Sequence, residues 1–187
     1  MTTDSDIAGL RERLVACEME NMRLKEELAF LKDFPAVAHG LKAERLVAKL
    51  AGGVVTGHKV PYDVEVGNGD RLEVKYSRLG KPYPRAKTKR WTWIRLLGQN
   101  DTKQFEWLVL VGEKDPRYES QYPAGLPYVF FLVPRSEIGS IRTAGKMSVA
   151  LNTNLATAKA AQSVALKRHF VRSEATFKNL LANCGAA

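Results

Sequence analysis

The chain has 187 residues, 45% of them hydrophobic and 26% charged, with a formal net charge of +9, the balance of one globular domain with enough apolar residues to bury a core. Its longest apolar run, Leu126 to Val133, is interrupted by Pro127 and falls far short of the roughly 20 residues of a bilayer span, and its polar, acidic N-terminus has no secretory pattern, so a cytoplasmic protein with no membrane partner is expected. Cys17 and Cys184 lie too far apart in the chain for a disulfide framework or a cysteine zinc site, and His39, His58 and His169 show no metal-ligand spacing.

Residues 6 to 32 carry an apolar heptad, with Ile7, Leu14, Asn21 and Leu28 at a and Leu10, Cys17, Leu24 and Leu31 at d. The g-to-e′ partners of a parallel pair are Asp6 with Arg11, Arg13 with Glu18, Glu20 with Lys25 and Glu27 with Lys32, all opposite in sign. A single Asn at a favours a parallel two-stranded coil. An amphipathic helix packed on its own domain explains the apolar positions but neither Asn21 nor the charge matches. Residues 1–34 are therefore expected to be a homodimerising coil, and residues 35–187 the functional domain.

Phe34-Pro35 stops the first helix, because a residue before proline avoids the α region and proline lacks an amide hydrogen. A second helix is predicted from Gly40 to Leu50, ended by Gly52-Gly53. Strand-like runs follow at 54–56, 63–66, 71–76, 105–111 and 128–133, and later helices at 155–170 and 174–183. The order predicts an α/β fold, a mixed central sheet flanked by helices, with βαβ-like material in its second half.

The segment from Pro61 to Lys75 reads as a hairpin about Asn68-Gly69. A two-residue loop would set a charge beside an apolar residue on each face. A three-residue loop, Gly67 to Gly69, instead pairs Val64 with Leu72, Glu65 with Arg71 and Asp63 with Glu73. One face is then Val64, Val66, Leu72, Val74 and Tyr76, and the other Asp63, Glu65, Arg71, Glu73 and Lys75. Two adjacent carboxylates repel unless a cation sits between them. Mg²⁺, which takes one or two carboxylates and completes its shell with water and phosphate oxygens, fits such a pair. Lys75 is then placed to hold or deprotonate a water. A solvent-facing strand with a salt bridge accounts for the same spacing. Glu44 lies three residues after Leu41 and three before Val47, so it points along the apolar side of its helix as a third candidate acid.

In these residues the chain resembles the PD-(D/E)XK nucleases, in their type II restriction-endonuclease-like branch, over about Leu41 to Val133. The helix acid corresponds to Glu44, the first motif acid to Asp63 and the E-x-K tripeptide to Glu73-Val74-Lys75, with Tyr62 inserted between Pro61 and Asp63. The resemblance implies a restriction-endonuclease-like core. It implies Mg²⁺ held by Asp63, Glu73 and the Val74 main-chain carbonyl, with Glu44 a possible further ligand, and Lys75 orienting the attacking water.

The positive charge sits in two blocks, +8 over residues 71–103 and +6 over residues 139–187, as suits a polyanion. The first offers Arg78, Lys81, Arg85, Lys87, Lys89 and Arg90 around Tyr83, Trp91 and Trp93, made extended by Pro82 and Pro84. The alternate tryptophans are expected to anchor the core. The second offers Arg142, Lys146, Asn152, Asn154 and Lys159, among them the residue types that read base edges, although plain surface loops have the same composition. The expected function is a Mg²⁺-dependent endonuclease cutting double-stranded DNA, of the sequence-specific restriction kind. The alternatives are a junction or repair nuclease and a non-catalytic dimeric DNA-binding protein.

Overall fold

The computed structural model describes residues 4–57, 59–98, 102–143 and 146–182, with backbone alone for 4–6 and 182. His58, Cys184 and the predicted helix end at Asn183 lie outside them. The chain divides into two compact units, Met1–His39 and Gly40–Ala187. Among the described residues no helix is long and apolar enough to cross a membrane.

Helix α1 (Asp4–Asp33) is continuous. Its heptad residues Leu10, Leu14, Leu24 and Leu28 are exposed, as are Val15, Met19, Met22 and Phe30 on its other sides. Helix α2 (Pro35–Ala51) starts five residues before the expected Gly40, because the proline that stops α1 is pre-organised for the first position of the next helix. Ala43, Val47, Ala48 and Leu50 form its buried side.

The strands are β1 (Val54–Val55), β2 (Val64–Glu65), β3 (Arg71–Ser77), β4 (Arg90–Ile94), β5 (Trp107–Gly112), β6 (Val129–Pro134) and β7 (Ser148–Asn152). A mixed five-stranded sheet has the order β1-β2-β3-β5-β6, and β4 and β7 form a separate antiparallel ribbon. Only β3 and β5 pair in parallel within the large sheet. The βαβ expectation fails on both sides of β5. The crossover from β3 to β5 runs through β4, and β5 and β6 are antiparallel neighbours joined through a 3₁₀ turn, Pro116–Gln121.

The sequence patterns do not predict β4 and β7 as strands. Their tight pairing, Trp91 with Leu151 and Trp93 with Val149, forms only when segments some 60 residues apart meet, and β7 is too short and too rich in small residues to announce itself. The helices that follow β6 are α3 (Ile138–Ile141), α4 (Ala161–Arg168) and α5 (Glu174–Ala182). The predicted helix from Leu155 is shortened to α4. The Asn154 side chain accepts from the Ala156 amide at 3.2 Å and its carbonyl accepts from Thr157, a local turn that competes with helix.

Two cores cover the two faces of the large sheet. Leu72, Val74, Val109, Val111, Phe130 and Leu132 pack with α2 and α5, while Leu108, Leu110, Phe131 and Val133 pack with Trp91, Trp93, Val149, Leu151 and α4. The tryptophans are at most 1% exposed, so they anchor the core as expected. By strand alternation Glu73 and Lys75, beside Leu108 and Leu110 in the register, belong to the face under the ribbon.

Candidate active site

The hairpin adopts the register of the three-residue loop, with Val64 opposite Leu72 and Glu65 opposite Arg71. The loop is closed by the Val66 amide on the Asp70 carbonyl and the Gly69 amide on the Val66 carbonyl. The Asp63 amide continues the pairing by donating to the Leu72 carbonyl at 2.9 Å. Asp63 Oδ2 accepts from the Val74 amide at 2.8 Å, which fixes the carboxylate beside Glu73.

Glu73 is 0% exposed. Its Oε1 accepts from Lys75 Nζ. Lys103 Nζ lies 3.0 Å from Asp63 Oδ1 and 2.9 Å from Glu73 Oε2, yet Glu73 Oε2 has no hydrogen bond of good geometry. The Lys103 approach there is an ion pair alone. Burial, and then the neighbouring Asp63 charge, push the Glu73 carboxyl above the usual carboxylate range, against the pull of both lysines. Burial disfavours the Lys103 ammonium, but its pairing with Glu73 and Asp63 outweighs that and raises its pKa.

Arg71 and Glu65, which share the polar face in the sequence reading, do not join this cluster. The Arg71 guanidinium is paired with Glu106, and Glu65 accepts from the Tyr62 hydroxyl at 2.9 Å. Glu44 is half-buried on α2, the helix that packs on the opposite, Leu72 and Val74 face. Among the described residues no group of three or more His, Cys, Asp or Glu side chains is placed to hold a metal ion. A two-carboxylate site is what remains. A buried carboxylate oxygen short of a hydrogen bond, beside a second carboxylate, suits a hard cation that keeps much of its water shell.

Sequence reasoning missed Lys103. It lies 40 positions from Asp63, and nothing local distinguishes it from the other lysines of its block. Its position depends on Gly98, with φ of 80°, where a Cβ would lie 2.6 Å from Lys103 Cγ.

No protein-family model matches this chain, and neither does any curated protein.

The β4–β7 ribbon brings the two basic blocks together. Arg90 stands directly opposite Asn152, and Thr92 opposite Ala150, while the inward residues of both strands enter the core. The side chains of Arg78, Lys81, Arg85, Lys87, Arg142, Lys146, Asn152 and Lys159 are exposed, and Lys89 and Arg90 are half-buried. Asn154 Oδ1 accepts from the Ala156 amide within its own turn at 3.2 Å and from Gln121 Nε2 at 3.1 Å.

Two carboxylates that follow β5 pin the basic loop between β3 and β4. Glu113 accepts from the Tyr76 hydroxyl at 2.6 Å and the Leu79 amide at 3.0 Å. Asp115, 0% exposed, accepts from Arg117 Nη2 at 2.6 Å and Thr153 Oγ1 at 2.8 Å. Arg117 donates onward to the Lys87 carbonyl at 2.9 Å, and the Thr153 amide donates to the Lys89 carbonyl at 3.2 Å. These bonds fix the backbone from which Lys87 and Lys89 project.

Proposed function

We propose that this chain is a divalent-metal-dependent endonuclease acting on double-stranded DNA, with Mg²⁺ as its ion. The observation that carries the reading is the pairing of Asp63 with the fully buried Glu73, with Lys75 bonded to Glu73, on the sheet face flanked by the joined basic segments. The resemblance of Asp63, Glu73-Val74-Lys75 and the preceding helix to PD-(D/E)XK nucleases supports it, as does the α/β fold with a mixed sheet. In this reading Asp63 and Glu73 bind the ion, together with the Val74 carbonyl. Lys75, anchored by Glu73, orients the attacking water. The Arg78–Arg90 segment and the outer side of β7 bind the phosphate backbone and position the scissile bond. Mg²⁺ when bound supplies the charge that polarises a phosphodiester and acidifies water. A restriction-enzyme-like core and paired cuts by a homodimer joined through α1 complete the proposal.

A second reading is favoured by one observation. Lys75 and Lys103 together balance the two carboxylates, as a purely structural ion cluster would, and the chain would then bind DNA without cutting it. Incubating plasmid DNA with the purified protein and Mg²⁺ separates the two. Cleavage that Glu73→Gln, Asp63→Asn or Lys75→Ala reduces about a thousandfold or more, the equivalent of several kcal/mol of lost transition-state stabilisation, supports the nuclease. Undiminished cleavage by Glu73→Gln sinks the site assignment. Discrete fragments point to sequence-specific cutting, and a preference for branched substrates points to a junction enzyme.

A further inference from the structure

The second lysine of the acid pair is held by a built framework. The Lys103 amide donates to the Leu97 carbonyl at 3.3 Å, the next amide, of Gln104, donates to the Pro61 carbonyl at 3.0 Å, and Arg135 donates to the Lys103 carbonyl at 2.6 Å. The side chain then runs over Gly98, where a Cβ would lie 2.6 Å from its Cγ. The loop that bears Lys103 is thereby tied to the segment before β2, and the ammonium reaches Asp63 Oδ1 and Glu73 Oε2 together. Lys75 reaches only Glu73 Oε1. The two lysines therefore act differently on the acid pair, since Lys75 leaves its facing oxygens open and Lys103 closes them.

We infer that Lys103 is a resident competitor for the divalent cation: its ammonium and a metal ion bound to Asp63 and Glu73 exclude one another, so the ion loads only as Lys103 leaves. The inference rests on the reading of these two acids as metal ligands. An ammonium about 3 Å from both oxygens would stand against an ion whose own oxygen distances are about 2 Å, and positive charges that close repel strongly in a half-buried site. With both lysines in place the four groups sum to no net charge, which weakens the attraction for a free cation. Once displaced, the Lys103 ammonium stays tethered beside the acids, where a DNA phosphate can neutralise it. Metal loading is then coupled to DNA binding, because the phosphate stabilises the displaced state of Lys103.

The test is Mn²⁺ binding without DNA, read as the loss of free-ion electron paramagnetic resonance signal, for the full chain and its Lys103→Met, Lys103→Arg and Glu73→Gln variants. Removing the competing charge in Lys103→Met is expected to tighten Mn²⁺ binding about tenfold or more, Lys103→Arg to stay near the parent chain, and Glu73→Gln to lose binding. Equal or weaker binding by Lys103→Met, with binding lost in Glu73→Gln, overturns the competitor role and leaves the metal reading standing. Absence of binding in all four proteins overturns both. Should Lys103→Met not fold, acetylation of the parent chain by an active ester, followed residue by residue in a mass spectrometer, gives the same decision. Modification of Lys103 that rises with Mn²⁺ supports displacement, and modification that is unchanged or falls overturns it.

Discussion

Asp115 shows how a single residue outside the acid pair holds the basic loop in place. Its carboxylate is held at about 2 by the hydrogen bond from Arg117, against the cost of burial and with help from Thr153. An aspartate whose pKa falls on folding contributes stability that is present above its unfolded value, near pH ~4, and is lost as the pH falls through its folded one. Asp115→Asn is expected to destabilise the protein by about 2–3 kcal/mol at neutral pH, because a buried, charge-assisted set of bonds loses its acceptor. The gap between the two proteins should narrow as the pH drops from about 4 toward 2. Urea unfolding at a series of pH values checks it, and a gap that stays constant through that range would show that Asp115 is not the titrating group. Glu73 behaves in the opposite sense. Burial raises its pKa, so its ionisation costs stability.

The element that matters most beyond the hairpin is the β4–β7 ribbon. Its alternation is simple: Trp91, Trp93, Val149 and Leu151 face inward, while Arg90, Thr92, Ala150 and Asn152 take the other side. Trp91 lies so close to β5 that a Cβ on Gly112 would be 2.6 Å from its Nε1, which donates instead to the Glu113 carbonyl at 2.8 Å. The ribbon is thus seated against the sheet, and the basic loop that leads into it is tied down by Glu113 and Asp115. A loop fixed in this way presents its lysines with little further loss of conformational entropy on binding. Replacing Arg85, Lys87 and Lys89 together should weaken DNA binding for all sequences and lower the log–log salt slope by about 0.9 for each phosphate left unneutralised. Fluorescence titrations between low and moderate salt measure the slope, and an unchanged value would place the loop away from the nucleic acid.

At the scale of the whole molecule, the proposed assembly turns on helix α1. It exposes Leu10 at 57%, Leu14 at 59% and Leu28 at 53%, an apolar seam that a folded chain in water buries against something. In the homodimer we propose, a second copy covers that seam, which the heptad, Asn21 and the four charge matches suit. If the pair is parallel, Cys17, which is free and exposed, meets its counterpart at a d layer, and mild oxidation should join the chains through it. Asn21→Leu should raise the melting temperature of the dimer while loosening its preference for two strands. Analytical sedimentation and a non-reducing gel decide the matter: a monomer at micromolar concentration, or a lack of Cys17-dependent crosslinking, defeats the parallel coil. The exposed Val15, Met19 and Met22 lie off that seam, and the heptad does not account for them.

The sequence by itself determined the features that depend on neighbours along the chain. The Asn68-Gly69 turn and the two-residue alternation on either side were enough to specify Val64 opposite Leu72, because a one-residue slip would have buried charges and exposed valines. The same local periodicity located the strands of the large sheet to within one or two residues and made Trp91 and Trp93 core residues. Only the tertiary structure decided what distant segments share. It brought Lys103 onto Asp63 and Glu73, gave Arg71 to Glu106, and joined two basic blocks through Arg90 and Asn152. Those pairings are selected by packing of the whole core, since the free energy that brings residues 30 to 62 positions apart together comes from the buried faces around them, and no pattern within either segment records it.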